Sequence, residues 1–285
     1  AAAHGVARAH RDAAALVDDP EVDVVLVSVK VPDHRGVVLA ALAAGKHVYC
    51  EWPLGRDLDE AHELYRAARA ADGFAFVGLQ ARMSPAVVRI RRLVEERVVG
   101  RVLATSLTGY GLMGGPTQPD RGAYQLDPSN GATVLTIPVG HSMDAMARVL
   151  GDWTELTGVA AVGHPVVELA GSGRTVTSTS VDHVAVSGLL GDDVVASVHM
   201  RPGSPPPARD GLRWEITGTD GTIEVTGGHA VPQMTALRCR AWDARGELRL
   251  AWDEAEGDPL VPPLLATWAA IAATVRGGSA AHGAP

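Results

Sequence analysis

The sequence predicts an α/β fold, in which a parallel sheet is followed by an α+β part with a large, mostly antiparallel sheet. Two observations carry this. Strand-like runs alternate with helical ones over residues 22–79, the pattern of a parallel sheet with right-handed crossovers. Over residues 156–252 the β-rich runs instead follow one another with turn signals between them, the pattern of an antiparallel sheet.

Asp12 suits the N-cap of a short helix over residues 12–18. Residues 22–29 are continuous and β-branched, as expected of a strand buried on both faces. Asp33 then caps a helix that runs to Ala44 and ends at Gly45. Residues 47–50 form the next strand, a helix covers 58–71, and 74–79 is a third strand. Ser84 and Pro85 open a helix that reaches Glu96 and is closed by Gly100. The pattern then changes. Residues 102–108 read as a strand. Residues 111–130 are rich in Gly, Pro, Asp and Gln and read as a long loop of a kind that is often functional. Residues 132–150 are helical in their later part. Runs at 181–190, 194–200, 212–217, 222–226 and 236–242 are strands, with Gly191-Asp192-Asp193 and Thr219-Asp220-Gly221 as hairpin turns. Residues 260–275 form a final helix. No internal repeat is visible. The composition shifts near residues 80–100, which divides the chain into two domains, 1–82 and 83–285.

The 285 residues are 46% hydrophobic and 20% charged, which suits one or two globular domains. A net charge of −8 argues against binding to nucleic acid or to an anionic membrane. No apolar run approaches the roughly 20 residues that cross a bilayer. Residues 1–20 lack the charged-then-apolar order of a secretory signal. Cys50 and Cys239 are too few for a disulfide framework, so a reduced cytoplasm is the expected location. No His-x-x-x-His or His/Cys spacing suggests zinc, and no metal is assigned. No Gly-x-Ser-x-Gly elbow or Walker-type loop is present.

One Gly-x-Gly-x-x-Gly run occurs, at Gly109, Gly111 and Gly114. It follows a predicted strand, but Pro116 and Pro119 keep it from opening the helix whose N-terminus would hold a pyrophosphate. It reads as a flexible loop. Glu51-Trp52-Pro53 closes the apolar run 47–50. That is the carboxyl end of a parallel strand, where open sheets bind their ligands.

Taken in order, several motifs resemble the Gfo/Idh/MocA oxidoreductases, and within them the branch that contains the fungal galactose-regulon repressor. They are Glu51-Trp52, Leu79-Gln80-x-Arg82-x-Ser84-Pro85, Gly140-His141-x-x-Asp144, Val181-Asp182-His183 and Ile216-x-Gly218-Thr219-x-Gly221. The likeness covers nearly the whole chain. It implies a Rossmann-type dinucleotide-binding domain over 1–82 that lacks its first βαβ part and glycine-rich turn, roughly 60–70 residues. It implies an α+β substrate-binding and dimerisation domain over 83–285. NAD or NADP is the implied cofactor, a sugar-like molecule the implied substrate, and a homo-oligomer, dimer or tetramer, the implied assembly. On this view the chain by itself binds a dinucleotide poorly.

The family has Glu-Lys-Pro where this chain has Glu51-Trp52-Pro53, and its lysine lies beside the nicotinamide and the substrate carbon. The indole N–H of Trp52 only donates, so it cannot shuttle a catalytic proton. Trp52 either stacks on a nicotinamide or sugar face or packs in the core. Glu51 either accepts from a ribose hydroxyl or caps the next turn. The resemblance puts Val29, Pro32, His34, Glu51, Trp52, Pro53 and Gln80 on the cofactor. Lys30 is a catalytic candidate for the missing ammonium, or else contacts an anion or faces solvent. His141 resembles the family histidine that helps to move a hydroxyl proton, a task that suits a pKa near neutrality; a structural histidine is the alternative. The acidic partner expected four residues earlier is Ile137 here, followed by Pro138. Arg82 binds a substrate anion or ties the domains together, and Asp144 orients His141 or is structural. Tyr110 and Tyr124 touch a sugar-like ligand or anchor the long loop. His183 and His199 fall in β-runs as interface or surface residues. Two functions follow. One is an NAD(P)-dependent oxidoreductase acting by hydride transfer on a sugar, polyol or similar alcohol. The other is a noncatalytic regulator that senses a dinucleotide or sugar.

Overall fold

The computed structural model describes residues 5–6, 8–111, 113–250, 252 and 258–277. They group into two compact units. The first runs to Gly78 and takes in residues 129–131 and the last helix from Ile271; the second holds the remainder.

In the first unit, strands β1 (Val24–Val27), β2 (His47–Glu51) and β3 (Ala75–Gly78) lie side by side in that order, all parallel. Helices α1 (Ala13–Val17), α2 (Val31–Ala43) and α3 (Leu58–Ala70) alternate with them. Helices α1 and α3 begin where a side chain satisfies a free amide of the first turn. Asp12 accepts from Ala15 N at 2.8 Å, and Asp57 accepts from Glu60 N at 2.8 Å. Val25, Val27, Val38, Leu42, Val48 and Leu64 form the core.

Two expectations change here. β1 is not buried on both faces: Leu26 is 50% exposed. β1 is the edge of its sheet, with β2 as its partner among the described residues, and the core covers its Val25 and Val27 face. Helix α2 starts before Asp33, with Lys30 at the N-cap. Pro32 belongs in the first turn because its φ is preset and it has no N–H to leave unpaired. Asp33 lies inside that turn, where its charge still favours the helix N-terminus.

The second unit contains α4 (Pro85–Glu95), β4 (Val102–Tyr110), β5 (Thr117–Gln118), α5 (Gly140–Leu150), β6 (Trp153–Ala161), β7 (Val166–Leu169) and β8 (Thr175–Thr177). It continues with β9 (His183–Leu190), β10 (Val194–Arg201), β11 (Leu212–Gly218), β12 (Gly221–Gly227), β13 (Arg238–Asp243) and β14 (Gly246–Leu248). The last helix, α6, spans Val261–Gly277. The large sheet has the order β14-β13-β12-β11-β4-β10-β9-β6, and a small one the order β5-β7-β8. The large sheet is antiparallel except where β10 runs parallel to β4. The hairpins expected at 191–193 and 219–221 join β9 to β10 and β11 to β12. The expected loop over 111–130 is ordered by β5 and two 3-10 turns, Asp120–Leu126 and Pro128–Asn130.

The Gly109 and Gly111 pair serves packing rather than phosphate binding. A Cβ on Gly109, within β4, would stand 2.6 Å from the Cβ of Ala230, and one on Gly111 would stand 2.8 Å from Pro138 Cγ. The main core lies on the inner face of the large sheet and includes Ile90, Leu107, Met146, Met200, Trp214 and Ile223. Trp214 is fully buried opposite Leu107. Its Nε1 donates to Thr105 Oγ1 at 2.8 Å, and that hydroxyl donates to Glu215 O at 2.9 Å. Trp214→Ala should therefore lower unfolding free energy by roughly 3–5 kcal/mol, read by urea denaturation. Trp214→Phe should lose less, because the ring volume is mostly kept.

Candidate functional site

The first unit gathers its candidate residues at the carboxyl ends of β1 and β2. His34, on α2, is 1% exposed. Its Nε2 lies 3.0 Å from Val29 O and its Nδ1 3.0 Å from Pro53 O. Cys50 Sγ approaches Nδ1 at 3.3 Å. Burial pushes the Cys50 thiol up to about 12, with the Glu51 carboxylate adding to the effect. His34 is thus a brace between the segments that follow two neighbouring strands. Both its ring nitrogens face backbone carbonyls, so it is not the cofactor contact that the resemblance implied.

The brace frames the rest of the group. Val29 is half exposed, and Lys30 is exposed at the N-cap of α2, with Pro32 in the first turn. Glu51 and Trp52 are partly buried, and the Trp52–Pro53 peptide is cis. Glu51 pairs in register with Gly78 of β3. A Cβ on Gly78 would stand 2.8 Å from Tyr49 Oη and 2.9 Å from Glu51 Oε2. A glycine is needed there for the Glu51 carboxylate to lie against β3. Among the described residues, no Gly-x-Gly-x-x-Gly turn opens a helix to cradle a pyrophosphate.

In the second unit His141 opens α5, just after a π-helical turn, Leu135–Val139. Pro138 has no N–H to donate within that turn, and Val139 N reaches back to Val134 O at 3.2 Å. His141 is 7% exposed. Gln233 Nε2 lies 3.0 Å from His141 Nδ1 and donates to Gln80 Oε1 at 3.4 Å. Amide orientation and tautomer are assigned together from this network: Nδ1 accepts, and the imidazole proton is on Nε2. Gln233 Oε1 is buried with no hydrogen-bond partner among the described residues, an acceptor suited to a hydroxyl donor. Burial, and then the nearby His229, pushes the His141 pKa down to about 4. This corrects the expectation of a histidine poised near neutrality. At pH 7 His141 is a neutral imidazole.

The structure also redirects three other residues. Arg82 donates to Asp144 through Nε at 2.8 Å and Nη2 at 2.6 Å. Both residues belong to the second unit, so this pair is neither a tie between domains nor an anion site with a free fork. Asp144 is accordingly held by Arg82 and is not the partner of His141; burial pushes its carboxyl up while Arg82 opposes the shift. Tyr110 receives the Arg201 guanidinium 5.5 Å over its ring and lines a groove with Arg209 and Arg213, a different place from the Gln80–Gln233–His141 group. Tyr124 lies in the Asp120–Leu126 turn.

Gln233 was not anticipated. It lies 92 residues from His141 in sequence. Its one signal is the apolar Ala230-Val231-Pro232 segment with His229 and Gln233 at its ends, all five residues buried between β12 and β13. His183 and His199 lie at the sheet, as expected, and His183 meets His164 and Asp182 there.

Residues 1–79 match the Gfo/Idh/MocA oxidoreductase family, NAD-binding Rossmann fold. Residues 85–227 match the Gal80p C-terminal domain. The chain is 34% identical over 265 residues to the dehydrogenase aclE of Aspergillus oryzae, covering 89% of this chain and 70% of that protein. The chain belongs to the Gfo/Idh/MocA oxidoreductase family. Its first unit is an NAD-binding Rossmann domain of that family, followed by a Gal80-like domain. It is also 27% identical over 223 residues to the galactose/lactose metabolism regulatory protein GAL80 of Kluyveromyces lactis, covering 73% of this chain and 49% of that protein. The chain thus spans about half the length of that relative. In fold it resembles levoglucosan dehydrogenase in complex with NADH and levoglucosan, at a TM-score of 0.82 and 21% identity, over 99% of this chain and 78% of that one. Among the described residues, no helix is long and apolar enough to cross a membrane.

The buried histidine has a consequence for stability. An unfolded histidine takes up its proton near pH 6.5, whereas folded His141 does so near 4. Above about pH 6.5 both states are neutral and stability is complete. As pH falls toward 4 the unfolded chain binds a proton that the folded chain does not, so stability is lost. The loss is on the order of 3 kcal/mol at about 1.4 kcal/mol per unit. The urea midpoint should fall between pH 6.5 and 4, and should fall less in His141→Asn.

Proposed function

We propose that the protein is an NAD(P)-dependent oxidoreductase that acts on a sugar, polyol or similar alcohol, with His141 and Gln233 holding the reacting oxygen. The observation that carries this reading is the buried pair itself: a neutral imidazole beside an amide oxygen that has no partner among the described residues. A bound nicotinamide supplies the hydride donor or acceptor. The chain supplies position and hydrogen bonds. In the reducing direction His141 Nε2–H donates to a carbonyl oxygen. In the oxidising direction the other tautomer acts: Nε2 releases its proton to solvent and Nδ1 takes one up. The Gln233 and Gln80 amides turn so that Gln233 Oε1 accepts from Nδ1–H, and the bared Nε2 takes the hydroxyl proton as the hydride passes to the nicotinamide.

Glu51, Trp52 and Pro53 are the first unit's proposed dinucleotide contacts, Trp52 by stacking. The family lysine is absent at Trp52, so a slower reaction is expected than with an ammonium acid, by roughly 10²–10⁴. We assign Lys30 no proton-transfer role. A homo-oligomer is proposed through the outer face of the large sheet, where Val159 and Val195 are 75% and 60% exposed. The similarity to regulatory proteins and the loss of both family acid–base residues, at Trp52 and Ile137, favour a second reading: a dinucleotide- or sugar-sensing regulator.

NADH and NADPH fluorescence titrations test the first reading. They should be run on this chain and on a form extended at its amino terminus by a strand, glycine turn and helix. Saturable binding is expected of the extended form, with the shorter chain much weaker. A sugar and polyol screen should then give hydride transfer, and His141→Gln should lower kcat by roughly 10²–10⁴ with NADH affinity unchanged. Binding without turnover on any substrate would point to the regulator. Absence of binding by both forms would overturn the two readings together.

A further inference from the structure

We infer that His164, Asp182 and His183 form a binding site for a first-row transition-metal ion, with Zn²⁺ the ion their chemistry fits best. His164 lies in the turn after β6, and Asp182-His183 open β9. The β6–β9 register, with Ala161 opposite His183 and Asp182 N donating to Ala161 O at 3.0 Å, brings the two segments together. His164 Nδ1 lies 2.7 Å from Asp182 Oδ2, and His183 Nδ1 lies 2.9 Å from Oδ1. The three donor atoms all lie within 4.8 Å of one another.

Several features mark this as more than a carboxylate with two hydrogen-bonded neighbours. Asp182 is held in place without its histidines, because Gly163 N and His164 N donate to its two oxygens at 2.7 and 3.1 Å. Its side chain is 6% exposed, so the carboxylate is fixed and largely out of water. The two rings lie nearly parallel with centroids 6.0 Å apart, and both Nδ1 atoms turn toward the same carboxylate. A single divalent ion between the Nδ1 atoms would be held by both rings and the carboxylate, with each ring keeping its proton on Nε2. Gly163 makes room: a Cβ there would stand 2.7 Å from His183 Nδ1.

Imidazole nitrogens with one carboxylate exclude Ca²⁺ and Mg²⁺ as preferred ions and suit Zn²⁺. Metal–ligand bonds of about 2.0–2.1 Å set ligand atoms roughly 3.3–3.4 Å apart in a tetrahedron. The two nitrogen–oxygen spacings, 2.7 and 2.9 Å, reach that by opening about half an ångström, and the three donor atoms already lie within 4.8 Å of one another. A cavity of about 10 Å³, lined in part by His164, Asp182, Gln118, Ser178 and Ser180, adjoins the cluster. It has room for about one water, the remaining ligand of such a site. His164 and His183 are 32% and 43% exposed, which gives an ion a path from solvent.

The test is equilibrium dialysis of the chelator-treated chain against Zn²⁺, with metal content by mass spectrometry and a parallel Co²⁺ titration read by visible absorption. One equivalent of Zn²⁺, a rise in Tm, and the strong d–d bands of tetrahedral Co²⁺ are expected. His164→Ala with His183→Ala should weaken Zn²⁺ binding by roughly 100-fold or more. Both side chains are partly exposed, so metal-free circular dichroism and Tm should stay near those of the parent chain. Each single histidine variant should also weaken binding, which keeps the test open if the double variant fails to fold. Binding below one equivalent, or binding that survives both single substitutions, would overturn the site and leave Asp182 as a hydrogen-bonded brace.

Discussion

The second unit depends on strand β4 finding two partners about a hundred residues away. Its backbone is buried, so hydrogen bonds are required along both edges. β10 satisfies one edge in parallel register and β11 the other in antiparallel register. Once that pairing forms, other positions follow from it. Trp214 stands opposite Leu107 and reaches Thr105. Gly109 must lack a side chain because Ala230 crosses it. The segment carrying Ala230 is the one that delivers Gln233 to His141. A polar group 92 residues distant in sequence is therefore placed by sheet register.

The His141 environment illustrates how burial decides chemistry. Removing an imidazole from water disfavours its charged form, and the neighbour here is another histidine rather than a carboxylate. The family's acid four residues earlier would have countered that effect. Ile137 and Pro138 supply no charge, and Asp144 is held by Arg82. Gln233 fixes the ring without ionising it. The result is a donor and acceptor pair rather than a proton reservoir.

The two functional readings share most of their structure. The relatives include a dehydrogenase and a regulatory protein, and solved structures of a regulator and of a dehydrogenase share this fold. Fold and cofactor class are thus more widely shared than chemistry.

Local signals in the sequence determined most of the helices and strands and the order of the two sheets, and its motifs carried the family resemblance. Asp12 before its short helix and the hairpin turns at 191–193 and 219–221 between strand-like runs are short-range signals, and each appears in the structure where those signals place it. Glu51-Trp52-Pro53 and His141 were legible because they lie in contiguous motifs. Tertiary structure alone decided the remainder. It turned His34 from a cofactor contact into a brace, because its nitrogens meet carbonyls from two separate segments. It paired Arg82 with Asp144, placed Gln233 on His141, and joined His164 to Asp182 and His183 across a strand register. It left Leu26 half exposed on an edge strand. Each of these depends on which distant segment covers or faces a side chain, and neither propensity nor spacing contains that information.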